Sequence, residues 1–281
     1  MKKKKLIVAL SSLVVIVGLF VLLSFTAFSL RTVEVDFRTS AQNLTATQEE
    51  IIETSGIKKG GTVFFRNKDK YEGNIEKAYP YIKVINIETV FPNKMIVHVA
   101  ERQEVYALEG ENEFYVCDEE FRVLNVVQAL DDENAILLKT NKKISAYQAG
   151  QYITEIENPK IYQALYENNR SLGAQKEFIS SIEMAKEYDE GVKEEVDVLR
   201  LSLSSGQTVT IANYKKDLSK KAHLMFEVYS SLFDMAGKES LQEDGSMAEL
   251  TIDNLKTCEI YINNYYTGEN LKENCYFKIF V

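Results

Sequence analysis

The sequence predicts an α+β chain in three parts: a single N-terminal transmembrane helix, a β-α-α-β-β module, and a mainly antiparallel β-rich domain with helices. Three observations predict it. The stretch from Leu6 to Leu30 holds no charged residue. Between Thr32 and Glu101, strand and helix periodicities follow one another in that order. From Glu104 onward, short alternating apolar runs are separated by turn residues, with helical stretches among them. The boundaries that follow are a tail at 1–5, a helix at 6–30, a first domain at 31–102 and a second at 103–281.

Lys2 to Lys5 stand directly before the apolar stretch and Arg31 directly after it. About 20 helical residues cross the hydrocarbon core of a bilayer, and a helix satisfies its own backbone polar groups there. Leu6 and Leu30 are therefore the expected ends of a membrane span. Lysines stay on the cytoplasmic side. This puts the N-terminus inside the cell and Arg31 to Val281 outside, as a single-pass protein of the cell membrane. The alternative is a cleaved secretory signal. Its apolar region usually holds about 7–15 residues, and the best small-residue cleavage site here, Ala27-Phe28-Ser29, is weak.

The formal charge is −9, from 33 basic and 42 acidic residues. Without the four tail lysines, 29 basic residues face those 42 acidic ones, a net charge of −13 on the part outside. That argues against nucleic acid, whose phosphates demand a basic surface, and against broad adhesion to anionic lipid. Three cysteines, Cys117, Cys258 and Cys275, are too few and too scattered for a disulfide framework or a zinc site. Cys258 and Cys275 are either paired or free.

Taken in order, Val33, Val35 and Phe37 alternate along a strand at Thr32 to Phe37. Thr47 and Glu50 have capping-box spacing, Ile51, Ile52 and Ile57 supply an apolar face, and Gly56 ends the helix. A second helix starts near Asn67 or Asp69, carries Tyr71, Ile75 and Tyr79 on one face, and stops at Pro80. Tyr81 to Val90 and Lys94 to Glu101 are extended, joined by a turn at Phe91-Pro92-Asn93. Further on, Glu104 to Leu108 and Glu113 to Cys117 form a hairpin, and Ala135 to Leu138 is a short strand. A helix at Pro159 to Leu172 precedes strands at Glu177 to Met184, Val196 to Leu203 and Thr208 to Ala212. Asp217 to Phe233 is an amphipathic helix, Glu239 to Ser246 is a polar loop, and Glu249 to Ile252, Cys258 to Asn263 and Tyr276 to Val281 are closing strands.

Four motifs within the first module carry a resemblance: Ser55-Gly56-Ile57-Lys58-Lys59-Gly60, Ala78-Tyr79-Pro80-Tyr81-Ile82-Lys83, Phe91-Pro92-Asn93-Lys94 and Val99-Ala100-Glu101-Arg102. In this order, after one N-terminal anchor, they resemble the POTRA domain of the FtsQ/DivIB family of bacterial cell-division proteins. The second domain resembles that family more loosely. Phe121 stands where the family usually has glycine, and Glu104 where it tends to have proline. Phenylalanine resists a positive φ, so either this turn is of another type or the register is shifted.

The chain offers little for catalysis. His98 and His223 lie far apart without metal spacing, and no nucleophile or phosphate-loop motif occurs in a fitting context. The acidic clusters Asp118-Glu119-Glu120, Asp131-Asp132-Glu133 and Glu243-Asp244 read as solvated turns. No enzyme, cofactor, metal or small-molecule substrate is expected. The resemblance implies a non-catalytic bitopic scaffold of the divisome at the division septum. It implies partners like FtsB/DivIC and FtsL, docked by strand addition on strands near the C-terminus, here Glu259, Ile260, Tyr261, Ile262 and Asn263. The alternatives are a membrane-anchored cell-wall enzyme and a POTRA-bearing export or insertion factor. The latter usually carries several POTRA units or a barrel.

Overall fold

The computed structural model describes residues 2–38, 46–64, 66–130, 135–140, 142, 144–171, 178–189, 193–241, 247–262 and 275–278. The chain divides into two compact units, Met1–Gln103 and Glu104–Val281.

Unit 1 begins with helix α1 (Lys2–Phe25). Its side chains are described from Leu10, and from there Leu13, Val14, Ile16, Leu19 and Leu22 are all more than half exposed. Among the described residues no helix is long and apolar enough to cross a membrane. The uncharged run continues past the helix end. Ser24 and Thr26 donate their hydroxyls back to the carbonyls of Phe20 and Leu22, and the chain turns. Leu30, expected as the end of the span, is instead 1 % exposed in the core of unit 1. An unbroken apolar run cannot by itself separate a helix surface from the buried residue that follows it.

After α1 come β1 (Thr32–Phe37), α2 (Gln48–Ser55), α3 (Lys68–Ala78), β2 (Ile82–Val90) and β3 (Lys94–Glu101). Thr47 and Glu50 form the expected capping box, and Gly56 closes α2 at φ 73°. Asn67 caps α3 by accepting from the Lys70 amide. The sheet order is β1-β3-β2, with β1 parallel and β2 antiparallel to β3. Met95, Val97 and Val99 share one face of the central strand and meet Ile51 and Ile75 from the helices, all fully buried. On the opposite face His98 lies 2.8 Å from Asp36 and 3.2 Å from Glu88, one carboxylate on each flanking strand. Glu76 of α3 accepts from the Val84 amide at 2.9 Å and from Arg102 at 3.2 Å, tying helix, sheet and domain end together.

Unit 2 holds β4 (Tyr106–Glu109), β5 (Phe114–Cys117), β6 (Val123–Val127), β7 (Ile136–Lys139), α4 (Pro159–Ser171), β8 (Ile179–Asp189), β9 (Glu194–Leu203), β10 (Thr208–Ala212), α5 (Leu218–Leu232), β11 (Glu239–Leu241), β12 (Met247–Glu249), α6 (Ile252–Lys256), β13 (Glu259–Ile262) and β14 (Cys275–Lys278). One nine-stranded sheet runs in the order β14-β13-β10-β9-β8-β7-β4-β5-β6. Most pairs are antiparallel, but β4–β7, β7–β8 and β10–β13 are parallel. Its core includes Tyr162 and Leu165 of α4 and Ala222, Met225 and Leu232 of α5.

Three expectations change here. The polar stretch from Glu239 contains β11, and Met247 to Glu249 pairs with it as β12, in place of a plain loop. Of the strand expected at Glu249 to Ile252, Glu249 alone is extended, as the end of β12: Thr251 accepts from the Asn254 amide and starts α6. Phe121 does take a positive φ of 63°. Its ring stacks on Tyr106 at 4.8 Å and meets Tyr162 edge-on, and burial of three aromatics offsets a strain of about 1–3 kcal/mol.

Candidate functional site

The residues expected to dock a partner lie on β13, close to the end of the large sheet. α6 delivers the chain to it. Gly206, in the β9–β10 turn, sits at φ 106°, and a Cβ there would come within 2.6 Å of the Lys256 carbonyl oxygen. Glycine is therefore required where this turn presses on the end of α6. Gln207, wholly buried, donates to the Leu255 carbonyl at 3.0 Å, and the Thr208 amide donates to the Cys258 carbonyl at 3.2 Å. These contacts set β13 in parallel register with β10, Val209 opposite Ile260 and Ile211 opposite Ile262.

Ile260 and Ile262 point into the core and are fully buried. Glu259 and Tyr261 take the opposite face, half-buried. There Thr210 donates to Glu259 at 3.4 Å, and Arg200 of β9 pairs with Glu187 of β8 at 2.7 Å. Tyr261 packs against a small patch of Val196, Val198 and Ala212. Asn263, the fifth expected residue, lies outside the described residues.

β13 is not itself an open edge. It pairs with β10 on one side and antiparallel with β14 on the other, Ile260 opposite Phe277 and Tyr261 opposite Tyr276. Among the described residues, the strand that ends the sheet on this side is β14. The residues expected to dock a partner thus fall on the strand next to β14, because alternation identifies a strand without saying which neighbours it has. Cys258 is a free, buried thiol, pushed up to about 11 by burial. Cys275 sits opposite Ile262, at the far end of the pairing from Cys258.

Asp118, His98 and His223, among the groups considered for chemistry, have structural partners. Asp118 is 3 % exposed, and its carboxylate accepts from the Glu120 and Arg122 amides, each at 2.9 Å. It builds the turn before β6 in place of the solvated loop expected. Asp131-Asp132-Glu133 and Glu243-Asp244 lie outside the described residues. His98 belongs to unit 1, and His223 pairs with Glu227 one turn along α5 at 3.4 Å. Among the described residues no group of three or more His, Cys, Asp and Glu is placed to hold a metal.

Residues 28–102 match the model of the POTRA domain of FtsQ type. The chain is 37% identical over 98 residues to cell division protein DivIB of Clostridium acetobutylicum, covering 34% of this chain and 33% of that one. It is 29% identical over 131 residues to the DivIB of Clostridium tetani, 47% of each chain. The DivIB of Clostridium botulinum strain Hall is 28% identical over 123 residues, 44% of this chain and 46% of its own. These alignments span about a third to a half of the relatives' length. Residues 28–102 thus form a POTRA domain of FtsQ type, and the chain is similar over part of its length to cell division proteins named DivIB.

Proposed function

We propose that this protein is a non-catalytic, single-pass scaffold of the bacterial divisome. α1 crosses the cell membrane with the lysine tail inside, and both units stand outside, at the division septum. FtsB/DivIC-like and FtsL-like bitopic proteins add a strand to the sheet end built by β13 and β14, linking the scaffold to septal peptidoglycan synthesis. The observation that carries the docking site is that β13 is paired on both sides while β14 ends the sheet. An unpaired strand edge is a template for another chain, with main-chain hydrogen bonds supplying affinity. The span is supported by the uncharged run from Leu6 to Phe25 within α1, directly after the four lysines that open this helix.

The test is capture from crosslinked membranes by the tagged full chain and by Tyr276→Pro and Phe277→Pro variants. Successive strand residues turn their amides to opposite sides. One proline therefore removes a donor from the outer edge and the other disturbs pairing with β13. Loss of small single-pass coiled-coil partners from a variant that still folds supports edge docking. Equal capture by both folded variants moves the site elsewhere on the chain.

A further inference from the structure

We propose that unit 1 carries a bilayer-seating surface at the exit of α1. There Phe64 and Phe91 enter the lipid interface, and Arg31, Lys58 and Lys59 meet anionic headgroups. This rests on the reading of α1 as a membrane-crossing helix and adds to it that the POTRA domain lies fixed against the membrane instead of swinging from a tether.

The geometry starts at the helix end. The Phe28 amide donates to the Leu23 carbonyl at 3.0 Å and closes α1. The next residues pair at once with a loop of the domain: Val63 amide to Phe28 carbonyl, Leu30 amide to Gly61 carbonyl and Gly60 amide to Leu30 carbonyl, each 2.9 Å. The Arg31 amide then donates to the Asn93 carbonyl at 2.8 Å, at the tip of the β2–β3 hairpin. Two loops are thus fastened by backbone hydrogen bonds to the residues that leave the helix. Arg66 stiffens the first of them, donating to the carbonyls of Thr62 at 2.7 Å, Lys58 at 3.1 Å and Gly61 at 3.2 Å.

These loops carry aromatic rings that continue the apolar surface of the helix. Phe20 of α1 lies 5.8 Å from Phe64, Phe64 lies 5.3 Å from Phe28, and Phe91 lies 5.5 Å from Phe64. Phe91 is nonetheless 59 % exposed and Phe20 is 49 % exposed. An exposed apolar patch of this kind marks an interaction surface. Its continuity with α1 selects lipid as the occupant, since whatever covers the helix reaches the loops without a break. Lys58 and Lys59 on the first of these loops, and Arg31 on the segment that leaves the helix, are exposed. Cations beside an apolar wedge match the attraction of basic groups to anionic lipid surfaces. The nearby carboxylate Glu34 is paired with Lys94 at 2.6 Å. The net negative charge of the chain is no obstacle, because screening confines the effect to charges within about 10 Å.

The chain contains no tryptophan, so single-tryptophan variants of the full protein report without background. Phe91→Trp, Phe64→Trp, Ile85→Trp and Ile16→Trp are each reconstituted into phosphatidylcholine vesicles, with or without phosphatidylglycerol, whose acyl chains carry bromine near the headgroup or deep in the bilayer. Ile85 serves as a control, 54 % exposed toward the other end of β2. The expected result is that shallow bromines remove most of the emission of Phe91→Trp or Phe64→Trp, more strongly with phosphatidylglycerol, and leave Ile85→Trp bright. If Ile16→Trp is quenched by deep bromines while both loop tryptophans behave like Ile85→Trp, the seating surface is overturned and the membrane span stands. If Ile16→Trp is not quenched either, the span itself fails and takes this inference with it. Equal quenching with and without phosphatidylglycerol overturns the role given to the three cations.

Discussion

The two units close their sheets by different means. In unit 1 the parallel pair β1–β3 is bridged by two capped helices and a hairpin, and each boundary on the way has a local cause: the Thr47 box, the Gly56 stop, the Asn67 cap and the hairpin turn at Pro92. In unit 2 the end of the sheet depends on β13 finding β10 across α5 and the β11–β12 hairpin, in parallel register. Parallel pairing requires a long connection, and its loop-closure entropy must be overcome before any contact compensates. Both units contain a distant parallel pair; what differs is that the connection in unit 1 is marked out by local caps and stops, while in unit 2 the turn at Gly206 and the buried Gln207 pin the end of the crossover. Substitutions in the first should act through buried electrostatics and caps, and in the second through the few points where the crossover is pinned.

The largest effect is expected from Glu76→Ala. It leaves Arg102 buried without that carboxylate and the Val84 amide without its acceptor. Breaking such a buried pair destabilises by about 3–5 kcal/mol, so amides of unit 1 should lose hydrogen-exchange protection by that amount while those of β8 and β9 keep theirs. A loss shared equally by both units would erase the contrast. Next, Gly206→Ala forces a side chain into a positive φ and against the Lys256 carbonyl. A destabilisation of about 1–3 kcal/mol, read as faster exchange in β10 and β13 ahead of β4 and β5, would locate the pin of the crossover.

Lys221 sharpens the same end of the sheet. It is 1 % exposed, donates to the carbonyls of Ala212 and Asn213 after β10, and burial lowers its pKa to about 8. Between about pH 8 and the ordinary lysine value near 10.4, the unfolded chain binds more protons at this site than the folded one. Stability from this group therefore rises with pH across that window, by at most about 1.4 kcal/mol per pH unit. Denaturant midpoints between pH 8 and 9.5 should climb in the parent and flatten in Lys221→Met. The smallest effect is Thr47→Ala, which removes the α2 cap and should cost about 1 kcal/mol, confined to unit 1 in thermal unfolding.

What was legible in the sequence follows the same division. β1, α2, α3, β2 and β3 could be read because capping residues, Gly56 and Pro80 act within a few residues of themselves. Most strands of unit 2 were also legible by alternation, but their order was not, since nothing in a strand names its partner. α6 was hidden because Thr251 and Asn254 make a cap whose helix is only five residues long. Phe121 was misread because propensity gives the strain of a positive φ and not the rings that offset it. The expected docking segment lies on the strand next to the one that ends the described sheet, since the alternation of Ile260 and Ile262 reports their burial and not the neighbours of their strand.

The position of β14 has a consequence in time. A chain leaving the ribosome completes unit 1, then β4 to β10, long before Cys275 is made, and domains fold as they emerge. Until then the sheet ends at β10 or β13, and the outer face of β14 does not exist. The edge that ends the described sheet is therefore formed later than the strands it closes.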